Sequence, residues 1–124
     1  MIAADTSSLI AYFGGDQGKD VELIDAAMEG ATLHLPPVVV TELLSDFKGR
    51  SIIEAGIVDA PMLEILPGYW QRAGATRASL LAKGIGAKLP DTLIAQSCID
   101  HNVPLITRDA DFRHFAKHCG LKLA

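Results

Sequence analysis

The amino-acid sequence predicts a three-layer α/β/α sandwich, in which helices cover both faces of a mostly parallel central sheet. Short apolar runs alternate along the chain with longer stretches whose apolar residues have helical spacing. Leu, Ile and Val dominate while aromatic residues make up only 6% of the chain, which suits helices on a buried sheet better than an all-β sandwich. A length of 124 residues is typical of one domain, so we expect a single domain over residues 1–124.

The first half of the chain predicts two strands and three helices. In order they are a strand over Ile2–Ala4, a helix that ends at Gly14-Gly15, a helix over Lys19–Glu29, a strand over Ala31–Leu35 and a helix from Pro37 to Gly49. Thr6-Ser7-Ser8 offers N-cap chemistry for the first helix. In the third helix Pro37 suits the first turn and Phe47 continues the helical spacing. The β-branched run Val38–Val40 makes a strand the competing interpretation.

The second half predicts the same alternation with a weaker beginning. Its elements are a strand candidate over Leu63–Leu66, a helix over Tyr69–Lys83, a loop to Pro90, a helix that Asp91 opens and that runs to His101-Asn102, a strand over Val103–Thr107, a short helix over Asp109–Lys117 and a candidate last strand over Leu121–Leu123. In the long helix we expect four core contacts, from Trp70, Ala73, Leu80 and Leu81. Residues 51–67 give the least regular pattern.

Two cysteines, Cys98 and Cys119, are too few for a disulfide framework, so we expect reduced thiols in a cytoplasmic protein. The first residues carry no basic segment before an apolar core, and we expect no signal peptide. No run of apolar residues reaches the length of a membrane span, and we expect no association with a membrane.

The net charge of −4 argues against a nucleic-acid partner at first sight. The basic residues, however, are unevenly distributed along the chain. The stretch from Ile65 to Pro90 contains no Asp or Glu but four bases, Arg72, Arg77, Lys83 and Lys88. Beside bound divalent cations such a stretch can hold a polyanion, which makes these four residues candidates for substrate binding. A merely solvated helix face explains the same residues equally well.

Four acids stand where apolar runs meet polar or helix-starting residues, namely Asp5, Glu42, Asp91 and Asp109. Asp5 and Asp109 follow the predicted strands near the two ends of the chain. Asp91 lies in the first turn of a helix, and Glu42 lies a turn or more into the helix after Pro37. Because ligand sites of parallel sheets lie beyond the carboxyl ends of the strands, we expect these acids to meet at that edge.

Carboxylates that cluster repel one another unless a cation lies between them, and oxygen ligands suit Mg²⁺ or Mn²⁺. Such a centre activates water for attack on a phosphodiester and needs no nucleophilic side chain. Each acid taken alone also has an ordinary structural interpretation. Asp5 and Asp91 can cap helices, Glu42 can be solvated, and Asp109 can belong to a turn. The joint placement of the acids favours the metal centre.

The acids lie in motifs that resemble those of PIN-domain ribonucleases, and more narrowly of the VapC toxins of bacterial and archaeal toxin–antitoxin pairs. The resemblance covers essentially the whole chain, and its last two motifs are the most specific. The motifs are Ala4-Asp5-Thr6-Ser7, Thr41-Glu42-Leu43, Pro90-Asp91-x-x-Ile94-Ala95 and Leu105-Ile106-Thr107-Arg108-Asp109-x-Asp111-Phe112.

The resemblance implies a catalytic quartet of Asp5, Glu42, Asp91 and Asp109 that binds Mg²⁺ or Mn²⁺ and cleaves single-stranded regions of RNA. It implies metal ligation by Asp5, Asp91 and Asp109, and some members also use an acid at the position of Asp111. Ser7, an accepted variant of the Asn that is common after Asp-Thr, joins the substrate-binding candidates. Toxins of this kind usually dimerise and are neutralised by a smaller antitoxin, so we expect a homodimer and a cognate antitoxin as partners.

Two other function classes compete with the nuclease. A catalytically inactive PIN-like module would bind RNA or protein only, and the intact quartet argues against it. A receiver-type signalling domain needs adjacent acids after the first strand and a mid-chain Asp, whereas here Thr6 follows Asp5 and the mid-chain acid is Glu42. His114, His118 and Cys119 suggest a zinc site only superficially, because the fourth ligand is missing.

Overall fold

The computed structural model describes all 124 residues and has a parallel three-stranded sheet at its centre. The strands are β1 (Ile2–Ala4), β2 (Leu33–His34) and β3 (Leu105–Ile106), in the order β2-β1-β3. Ala3 of β1 pairs with His34 on one side and with Leu105 on the other. The chain thus adds β2 on one side of β1 and β3 on the other. In such sheets the crevice at the carboxyl end of the central strand is the usual ligand site.

Seven α-helices surround the sheet. They are α1 (Thr6–Phe13), α2 (Lys19–Glu29), α3 (Pro37–Leu44), α4 (Arg50–Ile57), α5 (Tyr69–Ala82), α6 (Leu89–His101) and α7 (Arg113–Cys119), and a 3-10 turn over Ala110–Phe112 precedes α7. The predicted α/β class with a parallel sheet is confirmed. None of the helices combines the length and the apolar character that crossing a membrane requires.

The core is built around a central strand with small side chains. Ala3 and Ala4 are fully buried and belong to one continuous apolar cluster with Leu9, Leu43 and Leu105. Because an alanine occupies little space, helices from both faces can approach β1 closely, and their leucines fill the remaining volume. This packing fixes the residue after β1, Asp5, at the centre of the sheet's carboxyl edge.

The prediction of a helix from Pro37 to Gly49 was wrong at its C-terminal end. Helix α3 ends at Leu44, and the next side chains bond to the backbone instead of continuing the helix. Asp46 Oδ1 accepts from the backbone N–H groups of Lys48 and Gly49, and such local bonds compete with helical ones. Phe47 is therefore 83% exposed rather than part of the core. Helix α4, which begins at Arg50, was not predicted.

Two predicted strands reduce to single bridges. The strand predicted over Leu63–Leu66 is not formed, and the nearest pairing is a single bridge between Leu35 and Met62, one residue before it. Leu35 bonds to Pro61 and Leu63 and to nothing beyond. The candidate last strand over Leu121–Leu123 contributes one bridge, between Leu123 and Leu105. Pro61 and Pro67 bound the first of these segments and leave little backbone for a ladder.

Helix α5 packs on α6 through a different set of residues from the one predicted. Ala73 and Leu80 are buried as expected, but Trp70 is 63% exposed and Leu81 is 47% exposed, so their prediction as core contacts was wrong. Tyr69 takes the buried position, and its hydroxyl donates to the backbone oxygen of Leu93 at 2.7 Å. This bond sets the rotation of α5 about its axis and turns the neighbouring Trp70 outward.

Candidate metal centre

Asp5 is the most buried of the four acids and holds together the first strand and helix. It is the N-cap of α1, where its Oδ1 accepts from the Ser8 backbone N–H at 3.0 Å. The Ser7 hydroxyl donates to the same carboxylate at 2.9 Å, and the Thr107 hydroxyl donates to Oδ2 at 2.6 Å. With only 2% of its surface exposed, the carboxylate is desolvated, and burial raises its pKa above the ordinary value against the effect of these bonds.

Thr107 connects the carboxyl ends of β1 and β3. Its Oγ1 donates to Asp5 and accepts from the backbone N–H of Asp109 at 3.0 Å. Asp109 in turn caps the 3-10 turn, because its Oδ1 accepts from the Asp111 backbone N–H at 2.9 Å. One hydroxyl thus fixes the spacing between two acids that are far apart in the sequence.

Glu42 approaches the same place from helix α3. Its Oε1 accepts from the Thr6 hydroxyl at 2.6 Å, which orients the carboxyl group toward the start of α1. Its Oε2 receives no hydrogen bond from the protein. The longer side chain of Glu42 compensates for its position a full turn into the helix.

Asp91 lies in the first turn of α6, two residues after the helix begins at Leu89. Carboxylate oxygens of Asp91, Asp109 and Asp111 lie within 4.8 Å of one another, and this group is the set of potential metal ligands that the structure brings closest together. Burial raises the pKa of Asp91 to about 6, and the negative charges of Asp109 and Asp111 add to the shift while Lys88 opposes it. No hydrogen bond compensates the charge of Asp91, in contrast to Asp5.

The quartet lines one pocket of about 260 Å³ at the carboxyl edge of the sheet. Its walls are Asp5, Thr6, Ser7, Ile10, Glu42, Asp91, Ile94 and Asp109. The polar side chains that line it are hydroxyls and four carboxylates, and carboxylates this close repel one another without a cation. Such a donor set is the kind that hard divalent cations prefer. Burial raises the pKa of the Cys98 thiol to about 12 and keeps it neutral, so Cys98 offers no soft ligand.

The predicted substrate-binding residues do not all lie beside this pocket. Ser7 lines it, and Lys88 lies 4.0 Å from Asp111. Arg77 reaches the same loop and donates from Nε to the backbone oxygen of Ala87 at 2.7 Å. Lys83 is exposed at the end of α5 and lines neither the acid pocket nor its neighbours.

Arg72 is placed away from the acids by an ion pair with Asp100. The guanidinium contacts both carboxylate oxygens, at 3.0 and 2.6 Å. Asp100 lies near the end of α6, whereas Asp91 lies at its start, so roughly 13 Å of helix separate the two at about 1.5 Å per residue. The structure therefore does not bring Arg72 to the quartet.

Several residues of the site were missed by reasoning from the sequence. Thr6 and Thr107 each hold an acid, and the available signal was a hydroxyl one or two residues from an acid at a strand end. Arg108 was also missed. Its Nε donates to Asp20 Oδ2 at 2.7 Å, and Asp20 accepts in addition from the Ser8 hydroxyl at 2.8 Å. These bonds lower the pKa of Asp20 to about 2 and tie the segment that carries Asp109 to the start of α2.

Comparisons with known proteins agree with this architecture. The family model described as PIN domain matches residues 2–118. The structure of VapBC2 from Rickettsia felis bound to a DNA fragment from their promoter is similar, with a TM-score of 0.78 and 19% sequence identity over 100% of this chain and 98% of that chain. No curated protein matches the sequence. The structural likeness at this identity shows the fold.

Proposed function

The chain belongs to the PIN domain family, and from this premise we propose that it is a metal-dependent endoribonuclease that hydrolyses phosphodiester bonds in single-stranded regions of RNA. The observation that carries the proposal is the convergence of four acids from separate parts of the chain on one pocket. Carboxylate oxygens of three acids lie within 4.8 Å of one another, and each raises the cost of ionising the others unless a cation lies between them.

Asp91, Asp109 and Asp111 would hold a Mg²⁺ or Mn²⁺ ion together with Asp5, which lines the acid pocket with Asp91 and Asp109. A bound divalent cation would supply Lewis-acid activation of water and stabilisation of the leaving oxygen. The part of Asp5 is to keep the two strand ends in register through Thr107 and Ser7. Its own charge then faces the site from a fixed position.

Glu42 is the acid that we assign to proton movement. The Thr6 hydroxyl occupies Oε1, while Oε2 is left without a partner in the protein and can accept a proton from an attacking water. Ser7, at the rim of the pocket, is placed to contact the RNA. Arg77, Lys83 and Lys88 would attract the polyanion from the adjoining surface, whereas Arg72 would contribute only to the long-range field.

We further propose that the protein is the toxin of a toxin–antitoxin pair and acts as one domain over residues 1–124 in the cytoplasm. Its structural neighbour is a VapBC2 complex, and the surface carries many large apolar side chains for which a homodimer and an antitoxin are the partners that we propose. They include Phe47, Ile52, Val58, Met62 and Trp70. The competing function, an inactive PIN-like module that only binds RNA or protein, would leave the same surfaces in place.

Replacing Asp91 by Asn tests the nuclease directly. We expect cleavage of a single-stranded RNA to fall by more than about 100-fold, since even outer-shell partners of metal sites are worth about 10- to 100-fold. Wild-type cleavage should stop in EDTA and return with excess Mn²⁺. The matched control is Asp59→Asn, which removes an exposed acid outside the pocket and should keep full activity.

The outcomes separate the two functions. Activity that survives both chelation and Asp91→Asn would overturn the metal mechanism. A wild-type protein that binds single-stranded RNA but never cleaves it, with Mg²⁺ or Mn²⁺ present, would establish the inactive module instead.

A further inference from the structure

A second cleft of about 510 Å³ adjoins the acid pocket on the side of α5 and α7. Asp91 lines both, so the two spaces are continuous at this residue. The cleft is within the usual size range of ligand sites, about 300–1,000 Å³. Asp91 and Asp111 line the cleft, but it differs from the acid pocket because three basic side chains also enter it.

Three basic residues from three separate segments converge on this cleft, Arg77 from α5, Lys88 before α6 and His114 from α7. Arg77 uses Nε to hold the Ala87 carbonyl, which leaves its terminal nitrogens without a partner in the protein. The Lys88 side chain is 76% exposed and its nearest acid oxygen, on Asp111, is 4.0 Å away. The His114 ring makes no hydrogen bond within the protein. These groups are available to an anion.

Arg108, one residue before Asp109, is already engaged in ion pairs. Arg108 is bound by Asp20 and by Asp16, the latter at 3.6 Å. Arg77 carries no ion pair and Lys88 only the long one with Asp111, so a polyanion that lies across the acid pocket finds more available positive charge in the cleft than at Arg108. The carboxylates themselves repel phosphate wherever no cation intervenes, so the neighbouring phosphate gains the most from this cleft.

Gly86 forms part of the wall of the cleft. A Cβ built at Gly86 meets no atom within 4 Å, so a larger residue there would extend into free space without disturbing the fold. This position allows the cleft to be filled without altering any charge.

We propose that this cleft binds the nucleotide next to the cleaved bond, with Arg77, Lys88 and His114 on its phosphate. The inference rests on the proposed ribonuclease function and adds a direction to it. A single RNA strand leaves the acid pocket between α5 and α7, and does not cross the side where Arg108 is paired.

The test is binding of a fluorescently labelled single-stranded RNA to the full chain, measured by anisotropy in EDTA so that no cleavage occurs. Gly86→Leu should weaken binding about tenfold by occupying the cleft. His114→Ala and Lys88→Ala should each weaken it about threefold, and Lys88→Ala should reduce the salt slope by about 1. Arg77 is left unchanged because its Nε also holds the loop.

Two control variants match these changes. His118→Ala removes an exposed histidine from the same helix, one turn farther on and outside the cleft. Gly74→Leu adds the same bulk to α5 at another glycine whose Cβ would meet nothing within 4 Å and which does not line the cleft. Both should bind RNA as the wild type does.

The direction of the strand is tested with oligonucleotides in which a neutral methylphosphonate replaces one phosphate at a time. We expect neutralisation of one phosphate, the one beside the cleaved bond, to weaken RNA binding. In the Lys88→Ala variant the same neutralisation should no longer weaken binding. Equal binding by Gly86→Leu, His114→Ala and the wild type would overturn the subsite. So would no RNA binding at all, or binding of an acidic peptide that excludes RNA from this cleft.

The readout also separates this inference from the function on which it rests. Metal-dependent cleavage with unchanged binding in the Gly86 and His114 variants would leave the nuclease standing and remove the subsite. Binding of RNA that depends on the cleft but is never followed by cleavage would support the RNA-binding cleft and overturn the nuclease.

Discussion

The two halves of the acid pocket satisfy their carboxylates in opposite ways. In the half formed by the strand ends, Asp5 is buried and accepts from Ser7, Ser8 and Thr107. In the half formed by α6, Asp91 accepts from no donor in the protein and faces the charges of Asp109 and Asp111. The hydrogen bonds of the first half stabilise the fold, whereas the carboxylates of the second half are left to bind a cation. Two aspartates of the same pocket, Asp5 and Asp91, thus differ in role because their hydrogen-bond donors differ.

The largest expected effect is the loss of stability when the structural half is broken by Asp5→Ala. The Ser8 N–H would lose its cap acceptor and the Thr107 hydroxyl its buried partner, which together should lower the free energy of unfolding by about 2 kcal/mol. Urea denaturation at pH 7 in EDTA measures the change. Asp59→Ala, at an exposed position, should stay within about 0.5 kcal/mol of the wild type. A stable Asp5→Ala protein would show that Asp5 belongs with the open half.

A smaller effect is expected from Thr107, which joins the halves without contributing a charge. Thr107→Val keeps the shape but removes the donor to Asp5 and the acceptor for the Asp109 N–H, and should cost about 1 kcal/mol of stability. It should also weaken Mn²⁺ binding several-fold, because Asp109 is no longer held in position. Thr107→Ser retains the hydroxyl and should restore metal affinity. If Val and Ser behave alike in metal titrations, Thr107 acts by packing alone.

These contrasts mark what the sequence could and could not predict. The strand before Asp5, the helix over Lys19–Glu29 and the place of Asp91 follow from local caps, apolar spacing and strand–helix alternation. The pairing of Thr107 with Asp5 joins residues 102 positions apart, and no local pattern encodes it.

The errors have local physical reasons. Tyr69 and Trp70 are both aromatic and either could be buried in the core. The hydrogen bond from Tyr69 to the Leu93 carbonyl decides that Tyr69 is the buried one. The early end of α3 depends on the Asp46 side chain, whose competition with the helix is visible only once the backbone is placed.

The smallest change in stability is expected from Asp91→Asn, and it is the most diagnostic one. This variant should be slightly more stable than the wild type without metal, although it no longer cleaves RNA. The ordinary pKa of Asp91 is 3.8 and burial raises it to about 6 in the folded state. Between these values the folded protein binds more protons than the unfolded chain, so its stability falls as pH rises from about 4 to 6. Above pH 6 the ionised carboxylate is retained at a cost, and Asn removes that cost.

After allowance for solvent screening of this partly buried group, the gain at pH 7.5 should be somewhat below about 1 kcal/mol, or about 3 °C in Tm. At pH 4 the variant and the wild type should unfold together. Asp5, whose pKa is also raised, gives a slope of the same sign, so the variant should keep part of the pH dependence. Mn²⁺ should reverse the ranking at pH 7.5 by stabilising only the wild type. A variant that is less stable than the wild type at pH 7.5 in EDTA would mean that Asp91, like Asp5, is held by the fold, and the contrast between the two halves would disappear.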